Sequence, residues 1–264
     1  MYKIWAIFKK EVKIYFGTPV AYVIFGVFAA IAGYFFFQIL TFFQRQSMQF
    51  LQMQAPQMLE RMNLNDMVVA PLIMNVNVFF LLMLPVLTMR LLAEEKRTKT
   101  FELLMTNPIS VWQIVIGKYL ASLAVVAAMV GIIGVYPLLV SFMTGGPGGS
   151  GNLEWAPIVS GLVGLFLAGA AFTAIGLFTS ALTESQIVSA IVGFGVLLIF
   201  WVIGWAAAGA EGRMQEVLKY VSFLEHMGSF AKGLVELKDL VFYASVIFFA
   251  LFLTQRVVES QRWR

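Results

Sequence analysis

"LLAEEKRTKTFELLMTNPISVWQ" (91–113) crowds charge, a helix breaker and a helix start between two long apolar runs. On one side lies Pro71–Leu92 and on the other Ile114–Met143. Each run has at least the roughly 20 apolar residues that a helix needs to cross a bilayer core. The charged knuckle therefore reads as a short loop between two membrane spans, and this predicts an all-α polytopic membrane protein. The question is why so apolar a chain keeps a compact, charged, helix-forming element there.

Composition supports the membrane reading. The 264 residues are 60% hydrophobic and 12% charged, with 25 Phe and 14 Met. A soluble domain carries about twice that share of charge. With no cysteine there is no disulfide framework, thiolate metal site or thiol nucleophile. The net charge of +4 is small and locally placed, so it reads as membrane topology and not as a nucleic-acid footprint. The opening "MYKIWAIFKKEVKIYFGTP" lacks a small-residue cleavage site and is not expected to be a removable signal.

Six spans are predicted: Val20–Phe43, Pro71–Leu92, Ile114–Met143, Pro157–Leu182, Ile187–Ala208 and Leu240–Val257. Thr18-Pro19 puts a cap and an N1 proline ahead of the first. Ser110-x-x-Gln113 and Thr183-x-x-Gln186 read as capping boxes for the third and fifth. Pro85 and Pro137 predict kinks. Gly164-x-x-x-Ala168 and Gly169-x-x-x-Thr173 predict close packing of the fourth span.

Lys and Arg set the orientation. With both termini inside, twelve basic residues face the cytoplasm: Lys3, Lys9, Lys10, Lys13, Arg90, Lys96, Arg97, Lys99, Lys118, Arg256, Arg262 and Arg264. Six face outward: Arg45, Arg61, Arg213, Lys219, Lys232 and Lys238. Residues 1–19 contain an amphipathic helix, with Ile4, Trp5, Phe8, Val12, Tyr15 and Phe16 on one arc and lysines on the other. It is expected to lie on the anionic inner surface of the bilayer. Residues 211–238 carry a second stripe, Val217, Leu218, Val221, Leu224, Met227 and Phe230, expected at the outer interface or dipping into it.

The spans are read as free of ionisable residues between their ends. This argues against ion-coupled carriers, which keep such groups despite a cost of roughly 2.5–3.5 kcal/mol or more each. It argues equally against an intramembrane hydrolase, so no catalytic residue is assigned. The single histidine, His226, reads as an amphipathic surface residue, and no metal site is assigned. No G-x-x-x-x-G-K-[ST] phosphate loop occurs, so no cofactor is expected in this chain. Polar residues in the spans read mainly as interhelical hydrogen-bonding groups; Asn75, Asn77 and Thr88 are the candidates for lining a pathway.

In the knuckle, Phe101, Leu104 and Met105 recur at helical spacing and form an apolar face rimmed by charge, a pattern suited to docking in a partner's groove. The alternative is ordinary packing against the bilayer. Lys99 and Glu102 are spaced to pair across the helix.

"LPVLTMRLLAEEKRTKTFELLMTNPISVWQIVIGKYLAS" (84–122) resembles the ABC-2 type transporter permeases, in particular the gliding-motility-associated branch and its copper-processing relatives. "TSALTESQIVSAI" (179–191) and "FLEHMGSFAKGLVELKDLVFY" (223–243) resemble the same branch. The resemblance implies one transmembrane domain over residues 1–264. It has six spans, an N-terminal connecting helix (1–19), a cytoplasmic coupling segment (94–110) and an outer amphipathic segment (211–238). It also implies a second permease copy or close relative, and cytoplasmic ATPase subunits that hold ATP and Mg²⁺. It carries the coupling role onto Glu94, Glu95, Arg97, Thr100, Phe101, Glu102, Leu104 and Thr106, with Met105 beside them. Family members often have glycine where this chain has Lys99.

The expectation is a membrane permease subunit in the bacterial inner membrane, moving substrate outward under power from partner ATPases. The rival reading is a mechanotransmission or scaffold subunit that relays the same motion to a periplasmic partner and moves no cargo.

Overall fold

The computed structural model describes residues 2–54, 57, 62–102, 109–143 and 153–261. Among them there is no strand. The helices are α1 (Tyr2–Gly17), α2 (Pro19–Gln52), a π-turn (Asn65–Val69), α3 (Ala70–Thr88), α4 (Arg90–Arg97), α5 (Val111–Met143), α6 (Trp155–Leu182), α7 (Gln186–Gly209), α8 (Gly212–Val221), α9 (Phe223–Ala231) and α10 (Leu237–Ser260). Six helical stretches are long and apolar enough to cross a membrane: α2, the run from the π-turn through α4, α5, α6, α7 and α10.

The fourth span, α6, lies at the centre and packs against α3, α4, α5, α7, α9 and α10. Its small residues make this possible, as the small-xxx-small spacing predicts. A Cβ on Gly164 would overlap the Phe230 side chain of α9, and one on Gly176 would overlap Thr88 Oγ1 of α3. Lipid tails are as apolar as the spans, so such close backbone approach is what holds them together.

The boundaries shift where polar helix formers continue an apolar run. The first span was expected to stop at Phe43, but α2 continues through Gln44, Arg45 and Gln46 to Gln52. Its 34 residues make a rod about 50 Å long, well over the roughly 30 Å of a hydrocarbon core. Thr18 is its N-cap residue, yet the hydroxyl donates back to the Tyr15 carbonyl (3.3 Å) instead of capping forward. The second span begins in the π-turn, where the Ala70 N–H reaches Asn65 O. Pro71 follows and has no N–H to give, so the wider turn absorbs the missing donor.

The Ser110–Gln113 box forms reciprocally: Gln113 N–H donates to Ser110 Oγ (3.3 Å) and Ser110 N–H to Gln113 Oε1 (3.2 Å). The second box is displaced. Ser185, not Thr183, caps α7 and accepts from Val188 N–H. Thr183 is extended at the end of α6, and its hydroxyl accepts the Ser185 N–H instead.

Segment 211–238, expected on the outer side, contains two helices, α8 and α9. α8 has no buried residue, whereas α9 sinks Phe223, His226, Met227 and Phe230 against α3, α6 and α7, with the Phe242 and Tyr243 rings of α10 beside them. Ser222 makes the corner, its hydroxyl accepting from Glu225 N–H at 3.4 Å.

Candidate functional site

The second span breaks at Met89, one turn beyond Pro85. Helix geometry would send the Leu92 and Ala93 amides back to carbonyls at the break. Instead both donate to Ser180 Oγ of α6 at 3.0 Å, and the Ser180 hydroxyl donates to Met89 O at 2.8 Å. Three backbone groups at the break are thus satisfied by one buried serine. Beside it, Lys96 Nζ donates to the Ala181 carbonyl, a cation at the carbonyl end of α6. The charged arm α4 is therefore fastened to the central span.

The end of this arm is a hydroxyl-capped turn. Thr98 Oγ1 donates to Glu94 O (2.9 Å) and Thr100 Oγ1 to Glu95 O (3.3 Å), with the two hydroxyls 2.9 Å apart. Lys99 sits at φ 57°, the left-handed region. A lysine there bears the Cβ penalty that glycine would escape. Lys99 lies in this turn, ahead of the helical residues 100–102, and its expected pairing with Glu102 is not made. Glu102 is exposed. Phe101 is only 8% exposed and belongs to the core, with Lys96 Nζ 5.7 Å from its ring centroid. Phe101 thus faces its own domain and is not an open knob. Leu104, Met105 and Thr106 lie outside the described residues.

An ion cluster, buried at Lys118 and Glu11 and open to solvent at Lys10, joins α4 to α1 and α5. Lys118 Nζ lies 2.8 Å from Glu11 Oε1 and 3.0 Å from Glu95 Oε1, while Lys10 Nζ lies 3.2 Å from Glu95 Oε1 and 3.7 Å from Glu11 Oε1. Burial works to lower the Lys10 ammonium's pKa, but Glu95 and Glu11 outweigh it and hold the group above its usual range. Glu95, expected to face a partner, is engaged here, whereas Glu94 and Arg97 are exposed. Lys118 corrects the reading of the spans as uncharged, because it lies on α5 and is 2% exposed. The face of α1 turned to the protein is Ile7, Glu11 and Tyr15. Ile7 and the Ile4 carbonyl sit where a Cβ on Gly117 would be. The helix therefore rests on the third span, and Trp5 points away from the core.

The pathway candidates are mostly enclosed. Thr88 is fully buried and donates to Leu84 O at 2.8 Å. Asn77 is fully buried, with both amide atoms unpartnered among the described residues. Asn75 is half-buried and donates to Pro71 O at 2.8 Å.

On the opposite face His226 departs from its reading as a surface residue. It is buried, with Nδ1 2.6 Å from Asp239 Oδ1 and Nε2 2.9 Å from the Tyr220 carbonyl. Both ring nitrogens face oxygens, and one of these is a carbonyl that can only accept. Nε2 is therefore placed to donate to that carbonyl, and Nδ1 faces the Asp239 carboxylate. The pair ties α9 to the start of the sixth span. Among the described residues no group of three or more His, Asp or Glu side chains is placed to hold a metal ion.

Glu11, Lys118, Ser180 and the His226–Asp239 pair were not singled out from sequence. Lys118 gave the clearest signal, being a lone charge inside the apolar run 114–143.

Among the described residues, six apolar helical spans, of which the small-residue fourth is central, with a charged arm extending from the second, define a multi-pass α-helical membrane protein. The chain belongs to the ABC-2 transporter family: the model of the ABC-2 family transporter protein matches residues 5–262. Comparison with curated proteins gives no match.

Proposed function

We propose that the chain is the permease subunit of an ABC transporter in a bacterial inner membrane, with both termini in the cytoplasm. It pairs with a second copy or a close relative. Cytoplasmic ATPase subunits, which hold ATP and Mg²⁺, press on the segment 94–110, and the resulting helix motion drives export. Beside the family membership, one observation carries this reading. The arm α4 is pinned by Ser180 to the fourth span and by Glu95 to α1 and the third span. A push on an arm so held moves several helices together. Glu94, Arg97 and Glu102 remain exposed to meet a partner, while Glu95, Thr100 and Phe101 would act by shaping the arm. Leu104, Met105 and Thr106 complete the proposed contact.

The test has two parts. Single cysteines at Thr98 and Ser260 are expected to react with an impermeant thiol reagent only after lysis, and cysteines at Met53 and Leu234 from outside. Glu102→Lys is expected to reduce co-purification with the ATPase without changing expression or melting temperature. Outside labelling of Thr98, or unchanged association in Glu102→Lys, would overturn the coupling role.

A relay that moves no cargo is the second reading, supported by the resemblance of 84–122 to the gliding-motility-associated branch. The link of the outer helix α9 to the sixth span through His226 and Asp239 favours it, since motion of the spans would reach the outer face. ATPase stimulation only by a periplasmic protein would select it. Stimulation by a transported substrate in liposomes would select export.

A further inference from the structure

A cleft of about 290 Å³ opens where three spans end on the membrane face that carries α1. Ala21 and Ile24 come from the first turns of α2, Val86 and Leu87 from the last turn of α3, and Gln186 begins α7. Ala21, Ile24, Val86 and Leu87 form an apolar floor at the ends of the spans. Arg90, Glu94 and Arg97 of α4 form the polar mouth, with Tyr15 of α1 between floor and mouth. The Tyr15 hydroxyl donates to Leu87 O at 2.9 Å, so its ring is a fixed wall. Arg90 is held over that ring, 4.8 Å from its centroid. Neither arginine forms an ion pair among the described residues, although Glu94 lines the same cleft. The lining therefore offers two guanidinium forks against one carboxylate, an excess of one positive charge.

We propose that this cleft binds the headgroup of an anionic glycerophospholipid. The phosphate diester would sit between Arg90 and Arg97, with its ester region against Gln186 and the first methylenes over Ala21, Ile24 and Val86. Arginine suits this because its planar fork meets phosphate oxygens in pairs. Basic pockets between spans at the membrane surface are fitted to such headgroups. The excess positive charge selects an anionic headgroup over a zwitterionic one. Glu94 tempers the affinity, so its neutralisation would strengthen binding.

The test uses the full chain in nanodiscs of phosphatidylcholine alone, of equimolar phosphatidylcholine and phosphatidylglycerol, and of phosphatidylcholine with added inorganic phosphate. Melting temperature and lipid retained on native mass spectrometry are read in each. Phosphatidylglycerol is expected to stabilise the protein and be retained. Arg97→Ala, an exposed change, would cut retention roughly fivefold with melting in phosphatidylcholine unchanged, the size expected for one basic residue at a lipid surface. Arg90→Lys, which keeps the charge but loses the fork, would weaken it less, and Glu94→Gln would increase it. Equal retention in all variants overturns the site. An equal shift with inorganic phosphate would assign it to a free anion. A change of oligomeric state in Arg97→Ala with lipid retention unmoved would make the cleft a contact between copies.

Discussion

Lys118 Nζ lies 2.8 Å from Glu11 Oε1, although 107 residues separate them and both side chains are buried. With Lys10 and Glu95 they make a balanced set of two ammonium and two carboxylate groups. Removing one member leaves charge buried without its partner, which costs about 3–5 kcal/mol. Lys118→Met is therefore expected to lower the melting temperature markedly. Adding Glu11→Gln removes the excess negative charge and would restore part of the loss. A double-mutant cycle on purified protein measures the coupling; independent losses would mean that the cluster is not one unit.

Ser180→Ala removes the acceptor for two amides and the donor to one carbonyl. Each buried group left unsatisfied costs about 1–3 kcal/mol. We expect a loss of about 2–4 kcal/mol, since the arm can re-form part of its own ladder. Hydrogen exchange at Leu92 and Ala93 would speed up more than exchange at Leu72 or Ile73. A uniform change along the span would refute a local role.

Lys99 holds a left-handed backbone at φ 57°, which costs an L-residue about 1–2 kcal/mol. Glycine relieves that strain but loses more conformational freedom on folding. Lys99→Gly is accordingly expected to leave stability unchanged or raise it slightly. Lys99→Val, with a branched Cβ, would destabilise the turn by about 1–2 kcal/mol. Limited proteolysis across residues 97–110 reads the difference.

Asn77 separates stability from transport. Its amide is buried and unpartnered among the described residues, so replacing it by an apolar side chain of similar size removes a desolvation cost of about 1–3 kcal/mol. Asn77→Leu is expected to raise the melting temperature. If the proposed export path runs past this residue, ATP-driven transport is expected to fall in the same variant. Unchanged transport would remove Asn77 from the pathway.

The six spans were legible because a long apolar run is a local property, and so were the Ser110 cap and the small residues of α6. The break at Met89 was not, because it depends on Ser180, which lies 88 residues from Leu92. Pro85 marked the right neighbourhood but not the bond that stabilises the broken helix. His226 was misread for a similar reason. An amphipathic stripe places a histidine at the polar edge, and only Asp239, on another helix, draws it inward. In the knuckle, periodicity paired Phe101 with Leu104 and Met105, but the turn at Lys99 directs the ring into the core.

The central position of α6 has a consequence in the order of synthesis. The second span is made well before residues 155–182 exist, yet much of its inner face is written for that later helix. Until the fourth span enters the bilayer, Thr88 has no Gly176 to close against and the amides of Leu92 and Ala93 have no Ser180. The early spans must wait in lipid as loosely associated rods, and their consolidation is a late event of biogenesis. Ribosome-arrested chains ending before residue 155 would then be open to protease at the Met89 break. Chains long enough to release α6 into the membrane would be resistant there.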